Sequence, residues 1–169
     1  MEEWLGSLEI DVEAVADVGG RKLPVKDRTK SWHVKRYDII DLPEYDLNLK
    51  WTLENIYDAV FCLEVFEYLY DPLQGMINLY KILKTPGTLF ASFHFIYSHH
   101  GPWGKDYLRY TRWGVDKLLT EAGFSHWELY CRPFKNPEII TGFYASEDMR
   151  RAKPDQIHLD QGYLVKAIK

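Results

Sequence analysis

Three histidines crowd one stretch, His94-Phe95-Ile96-Tyr97-Ser98-His99-His100, just ahead of Gly101-Pro102-Trp103-Gly104-Lys105. An unperturbed imidazole titrates near neutrality, so His94, His99 or His100 could each take a proton from an attacking group. The sequence does not choose among them. Their spacing is not that of a metal site, since helical ligand pairs sit three or four residues apart, and no metal is expected. A second candidate is Asp17-Val18-Gly19-Gly20, an acid followed by two glycines. Glycine lets a backbone approach a ligand closely and tolerates positive φ. Taken alone, Gly-Gly is more often an ordinary turn. Further carboxylates stand at the ends of apolar segments: Asp38 and Asp41, Asp46, then Glu64 and Glu67. A carboxylate can accept from two vicinal hydroxyls, as a ribose presents them. From Asp106 to Trp113, charge and ring alternate, a pattern that can stack bases or sugars.

The elements that would position these groups are legible from periodicity. Tyr57 to Val65 is an apolar run with little polar relief, which suits a strand covered on both faces. After Asp71-Pro72 the period becomes helical through Leu73, Met76, Ile77, Leu79, Tyr80 and Leu83. Lys84-Thr85-Pro86-Gly87 stops that helix, and Thr88 to Phe93 begins another strand. Strand, helix and strand make a right-handed βαβ unit. Ligands of open parallel sheets sit at the carboxyl ends of the strands, here Leu63-Glu64 and Phe93-His94. Upstream, Glu13 to Val18 reads as the first strand, Ser31 to Asp41 contains the second, and Tyr45 to Lys50 reads as the third. Pro24 and the charged run Lys26-Asp27-Arg28 argue against a helix after Gly20. Downstream, Thr111 is an N-cap, Val115, Leu118 and Leu119 form a buried stripe, and Gly123 is the C-cap. Phe124 to Cys131 and Gly162 to Ile168 read as the last two strands, separated by a variable insertion over about 133–158. Residues 1–12 form a short arm or helix, with Trp4, Leu5 and Leu8 on one apolar face.

The order Tyr57-Asp58, Phe66-Glu67-Tyr68, Asp71-Pro72 and Leu83-Lys84-Thr85-Pro86-Gly87 resembles the second half of the class I S-adenosylmethionine-dependent methyltransferase domain. Asp106-Tyr107-Leu108-Arg109-Tyr110-Thr111, with Gly114 and Leu118 to Phe124, is similar to the same family. The resemblance covers roughly residues 13–131. It implies a Rossmann-like, doubly wound α/β sheet of seven mostly parallel strands with an antiparallel final strand. It implies S-adenosylmethionine as cofactor and S-adenosylhomocysteine as product. By the same resemblance, Asp17, Gly19 and Gly20 form the cofactor turn, although the family's third glycine is missing. Asp38 is the first choice for the ribose acid and Asp41 the second. Asp46 and Leu47 take the adenine position, and Leu63 and Glu64 the cofactor wall. Phe66-Glu67-Tyr68 departs from the family's Leu-Glu-His by a tyrosine, which cannot serve as a base near neutral pH without a large shift. The Asp106 to Trp113 stretch becomes a structural loop feeding a helix. Methyl transfer to a small-molecule or sugar acceptor is the implied activity. The competing reading is a catalytically degenerate relative acting as a binding or scaffold module. A nicotinamide-dependent oxidoreductase is poorer, because its Gly-x-Gly-x-x-Gly turn is absent.

Bulk properties fit this frame. The 169 residues are most simply one domain, and 46% hydrophobic content supplies a core. No apolar run is long enough to span a bilayer, so no membrane partner is expected. A net charge of −4 supplies no general field for nucleic acid. Cys62 and Cys131 both read as reduced, buried strand thiols, which favours the cytoplasm. A thin helix layer beside the first strand makes a homodimer plausible as its cover.

Overall fold

Apolar residues of β1 (Glu9–Val18) and β3 (Tyr57–Cys62) alternate between two packed faces, and both faces find cover. The computed structural model describes residues 1–99, 101, 105–133 and 160–169. Around these strands stand α1 (Glu2–Leu5), β2 (Ser31–Ile40), a 3-10 turn (Phe66–Tyr68), α2 (Pro72–Ile82) and β4 (Leu83–His94). They are followed by α3 (Arg112–Ala122), β5 (His126–Pro133) and β6 (Asp160–Ile168). The sheet order is β2-β1-β3-β4-β6-β5. β2, β1, β3 and β4 run parallel, and β6 is antiparallel to both β4 and β5. This is an α/β, Rossmann-like sheet with an antiparallel final strand.

One face of the sheet packs under α2 and α3. Val60, Cys62, Leu89, Ala91 and Phe93 meet Met76, Leu79, Ile82, Val115 and Leu119 there. The helices begin where the sequence marks them. Asp71 Oδ1 accepts from the Gln74 N–H and Pro72 opens α2, while Thr111 Oγ1 accepts from the Gly114 N–H. Gly123 ends α3 at φ +111, and its N–H donates back to Thr120 O. Among the described residues, the other face carries no long helix. Leu5 and Val25 seal Val15, Ala59, Phe61 and Phe90, whose residual exposures are 5% or less. Trp4 meets the Phe90 ring edge-on at 5.9 Å, and Phe61 stacks on Phe90 at 4.6 Å. The segment after Gly20 is non-helical, as Pro24 and its charged neighbours require. The chain's own residues cover the centre of this thin layer, and Trp4, Val12, Trp32, Val34 and Tyr37 around it stay partly buried.

Several expectations change. Six strands form the sheet among the described residues, not seven. Tyr45 to Lys50 is a run of turns because its backbone finds a side chain in place of a strand. Asn78, fully buried on α2, donates to Leu47 O and Leu49 O and accepts from the Trp51 N–H. Trp51 Nε1–H closes the turn on Asp46 O. β1 begins at Glu9, so the arm is shorter than 1–12. β4 starts at Leu83, which places Lys84 to Gly87 inside the strand and not in a turn before it. Cys62 is buried, but Cys131 is exposed. The insertion beyond Pro133 and His100 lie outside the described residues.

Candidate functional site

The carboxyl ends of β1, β2, β3 and β4 bring Gly19, Asp41, Glu64 and His94 to one end of the sheet. β1 ends in Val18, and Gly19 turns away at φ +81. A Cβ on Gly19 would lie 2.4 Å from Val65 Cγ2, and one on Gly20 would lie 2.2 Å from the Asp17 carboxyl carbon. Both glycines are therefore required by the chain's own packing. Asp17 is 3% exposed, and one of its carboxylate oxygens accepts from the Val25 N–H (2.8 Å) and the Tyr37 hydroxyl (2.5 Å). Burial pushes its pKa above the usual carboxylate range, against the pull of those two donors. The acid thus folds residues 19–30 down over the end of β1.

Of the two acids expected to hold a ribose, Asp41 stands just past the carboxyl end of β2. Its side chain is 23% exposed, accepts from the Leu42 N–H, and lies 4.0 Å from Arg21 Nε. Asp38 sits inside β2 opposite Ala16, where Tyr57 Oη–H and Arg36 hold it. Asp46 accepts from the Asn48 backbone and side-chain N–H groups, which caps its own turn, and Leu47 is buried in the core.

β3 and β4 end in a charged quartet. Glu64 adopts φ +57, an uncommon conformation for a residue with a Cβ. Its N–H donates to Ser92 Oγ at 2.7 Å, and the Ser92 hydroxyl donates back to Glu64 Oε1 at 2.9 Å. Arg132 donates to Oε1 at 2.8 Å, and His94 Nε2 lies 2.7 Å from Oε2. The same nitrogen lies 3.2 Å from Glu67 Oε1. Glu67 is completely buried and His94 is 1% exposed. Burial would raise the Glu64 pKa, but His94, Arg132 and Ser92 outweigh it and hold the group at about 2. Burial likewise opposes charge on His94, but Glu64 and Glu67 push it up to about 9. At neutral pH the imidazole is a cation between two acids, a poor starting state for a general base. Tyr97 stacks on it at 4.1 Å.

His99 is exposed, with Nε2 4.0 Å from Asp106 Oδ2. Asp106 and Arg109 form a two-pronged pair, and Arg109 also donates to Tyr97 O and Ser98 O. This stretch is scaffolding for the loop above the site, the structural role expected of it. Gly101, at φ +83, packs against the Tyr68 ring. The sequence signal that could have singled out Arg132 is slight, because it reaches Glu64 across 68 residues. A cleft of about 710 Å³ opens at the opposite end, lined by Asp11, Glu13, His33, Lys35 and Asp58. Two of its charges pair within the chain, Glu13 with Lys35 and Asp58 with Lys84, and it lies away from the converging strand ends.

No protein-family model matches the chain, and no curated protein sequence matches it. Solved structures do. An S-adenosylmethionine-dependent methyltransferase from Thermotoga maritima superposes with a TM-score of 0.61 at 11% identity, over 95% of this chain and 84% of that one. One from Aquifex aeolicus gives 0.55 at 17% identity, over 96% and 84%. The [4+2]-cyclase SpnF gives 0.61 at 14% identity, over 99% and 79%. The chain has the fold of the class I S-adenosylmethionine-dependent methyltransferases.

The residues present meet that cofactor's requirements only in part. Asp41 lies beside Gly19-Gly20-Arg21 and keeps a partly exposed carboxylate that could accept from hydroxyls. At the methionine end they do not fit as folded: Val65 fills the space above Gly19, and Asp17 is committed to Val25 and Tyr37.

Proposed function

We propose that this protein is an S-adenosylmethionine-dependent methyltransferase acting on a small-molecule or sugar acceptor. The observation that carries the reading is the convergence, at the carboxyl end of a methyltransferase-fold sheet, of the Gly19 turn, Asp41 and the left-handed Glu64. Residues held in rare backbone conformations concentrate at functional sites. Bound cofactor would supply an electrophilic methyl group, whose transfer needs alignment and exclusion of water more than a dedicated acid or base. This chain's residues would answer those needs in part. Asp41 would hold the ribose. Residues 19–30 would have to lift from Asp17 to admit the methionine end. Tyr68, Tyr97 and Gly101 would roof the acceptor and keep water out. Of the three histidines, His99 is the one described that is exposed enough to take a proton from an acceptor.

The closed cradle favours a second reading, a binding module that keeps the fold without the cofactor. Thermal unfolding with S-adenosylmethionine and S-adenosylhomocysteine separates the two. A ligand at a hundred times its dissociation constant adds about 2.7 kcal/mol, readily seen in the midpoint. Methyl transfer predicts a raised midpoint that Asp41→Ala abolishes. No shift at millimolar cofactor would leave the binding module as the better account.

A further inference from the structure

We propose that Glu64, Glu67 and His94 form a divalent-cation site. The proposal stands apart from methyl transfer and does not require it. One ligand atom from each residue lies within 4.8 Å of the others, and two of the three residues are buried. His94 Nε2 is 2.7 Å from Glu64 Oε2 and 3.2 Å from Glu67 Oε1. Oxygen and nitrogen ligands at about 2.1 Å from one cation stand about 3 Å apart at neighbouring positions, so little movement is needed to receive an ion.

The three groups are held in place before any ion arrives. Ser92 grips both the backbone and the carboxylate of Glu64. Glu67 O accepts from the Tyr107 and Leu108 N–H groups, which fixes the 3-10 turn that carries it. His94 O accepts from the Tyr110 N–H at 2.7 Å, and Tyr97 covers the ring. Arg132 occupies Glu64 Oε1 and leaves Oε2 facing His94. The Glu64 side chain is 29% exposed and connects the cluster to solvent at the mouth of the site.

Charge balance permits the exchange. Around a bound ion the site would present two carboxylates, a neutral imidazole and, beside them, the Arg132 guanidinium. A divalent cation would release the His94 proton to solvent and leave the neutral ring as a ligand. With the ion these charges sum to +1, suited to an anionic or oxygen-bearing fourth partner. Two carboxylates and one imidazole suit borderline ions such as Mn²⁺ or Zn²⁺ better than Ca²⁺, which prefers an all-oxygen shell. Three protein ligands leave positions open for water or for an acceptor oxygen. The spacing of His94, His99 and His100 hid this arrangement, because the other two ligands lie about thirty residues earlier.

The test uses the full chain stripped with EDTA, without cofactor, titrated calorimetrically with MnCl₂, ZnCl₂, MgCl₂ and CaCl₂. The expected result is one Mn²⁺ or Zn²⁺ per chain and a raised unfolding midpoint. Glu67→Gln and His94→Gln should each weaken binding about tenfold or more. Should either variant fail to fold, Mn²⁺ broadening of imidazole resonances in the wild type still decides: His94 should be lost before His33 and His126. An unmoved midpoint at millimolar concentrations of every ion, preferential broadening of His33 or His126, or affinity unchanged in both variants would overturn the site. Because no cofactor is present, these outcomes are independent of whether S-adenosylmethionine binds.

Discussion

At the scale of single residues, Asp17 and Gly19 decide the shape of the carboxyl end of β1. Asp17 contributes acceptors to a backbone N–H and a hydroxyl in a nearly sealed space. Asp17→Asn keeps the volume and can turn its amide oxygen to both donors, but it gives up the carboxylate and buries an NH2 where the second oxygen lay, at a cost of about 1–3 kcal/mol. The pH dependence has a definite sign. Burial raises the native pKa of Asp17 above its unfolded value, so the native state holds the proton more tightly. Its stabilising contribution is complete below the unfolded pKa and declines as pH rises through the native one. The stability gap between wild type and Asp17→Asn in urea should therefore be larger at about pH 4.5 than at about pH 7; a gap that widens with pH would refute this account. Gly19→Ala meets both a left-handed φ, costing about 1–2 kcal/mol, and the Val65 methyl. Pairing it with Val65→Ala should recover the steric part and leave the backbone part. Simple additivity of the two substitutions would show that Val65 is not the obstacle.

At the scale of elements, Asn78 explains why a segment with strand-like composition is not a strand. Its amide satisfies Leu47 O, Leu49 O and the Trp51 N–H from the side of α2. Asn78→Leu has similar volume but strands those buried backbone groups, and should cost more than about 3 kcal/mol in chemical denaturation. A loss below 1 kcal/mol would mean that water or a rearranged turn satisfies them. The helix ends behave differently, because caps are local. Thr111 and Gly123 are readable from neighbours three or four residues away, and both lie where the sequence puts them. β4 is less legible, because Pro86 and Gly87 are punctuation in a sequence and yet lie within a strand whose ladder with β6 begins at Thr88.

At the scale of the molecule, the sheet has one thick cover and one thin one. α2 and α3 bury one face in the ordinary way, while Trp4, Leu5 and Val25 close the other. Trp4 bridges the Phe90 and Tyr130 rings, at 5.9 and 6.2 Å. Trp4→Ala should cost about 3 kcal/mol and expose Phe90, read as lower thermal stability with increased binding of a hydrophobic dye. Unchanged stability and dye binding would show that the face is sealed some other way. The fold shared with methyltransferases and with a [4+2]-cyclase positions a site without choosing its chemistry.

Local information was sufficient for the βαβ unit, the caps of α2 and α3 and the non-helical stretch after Gly20. Each rests on hydrophobic period or on a residue's own backbone preference, and both act over a few positions. The contents of the site were a different matter. Which of Asp38 and Asp41 stands at the strand's end depends on where β2 stops, and Glu64 meets Arg132 only because β6 and β5 fold back beside β4. His94 sits among loop histidines in the sequence but is buried between two glutamates in the fold. Charges act through space, so residue types show which groups are available, and the tertiary structure alone decides which of them meet and which are spent on one another.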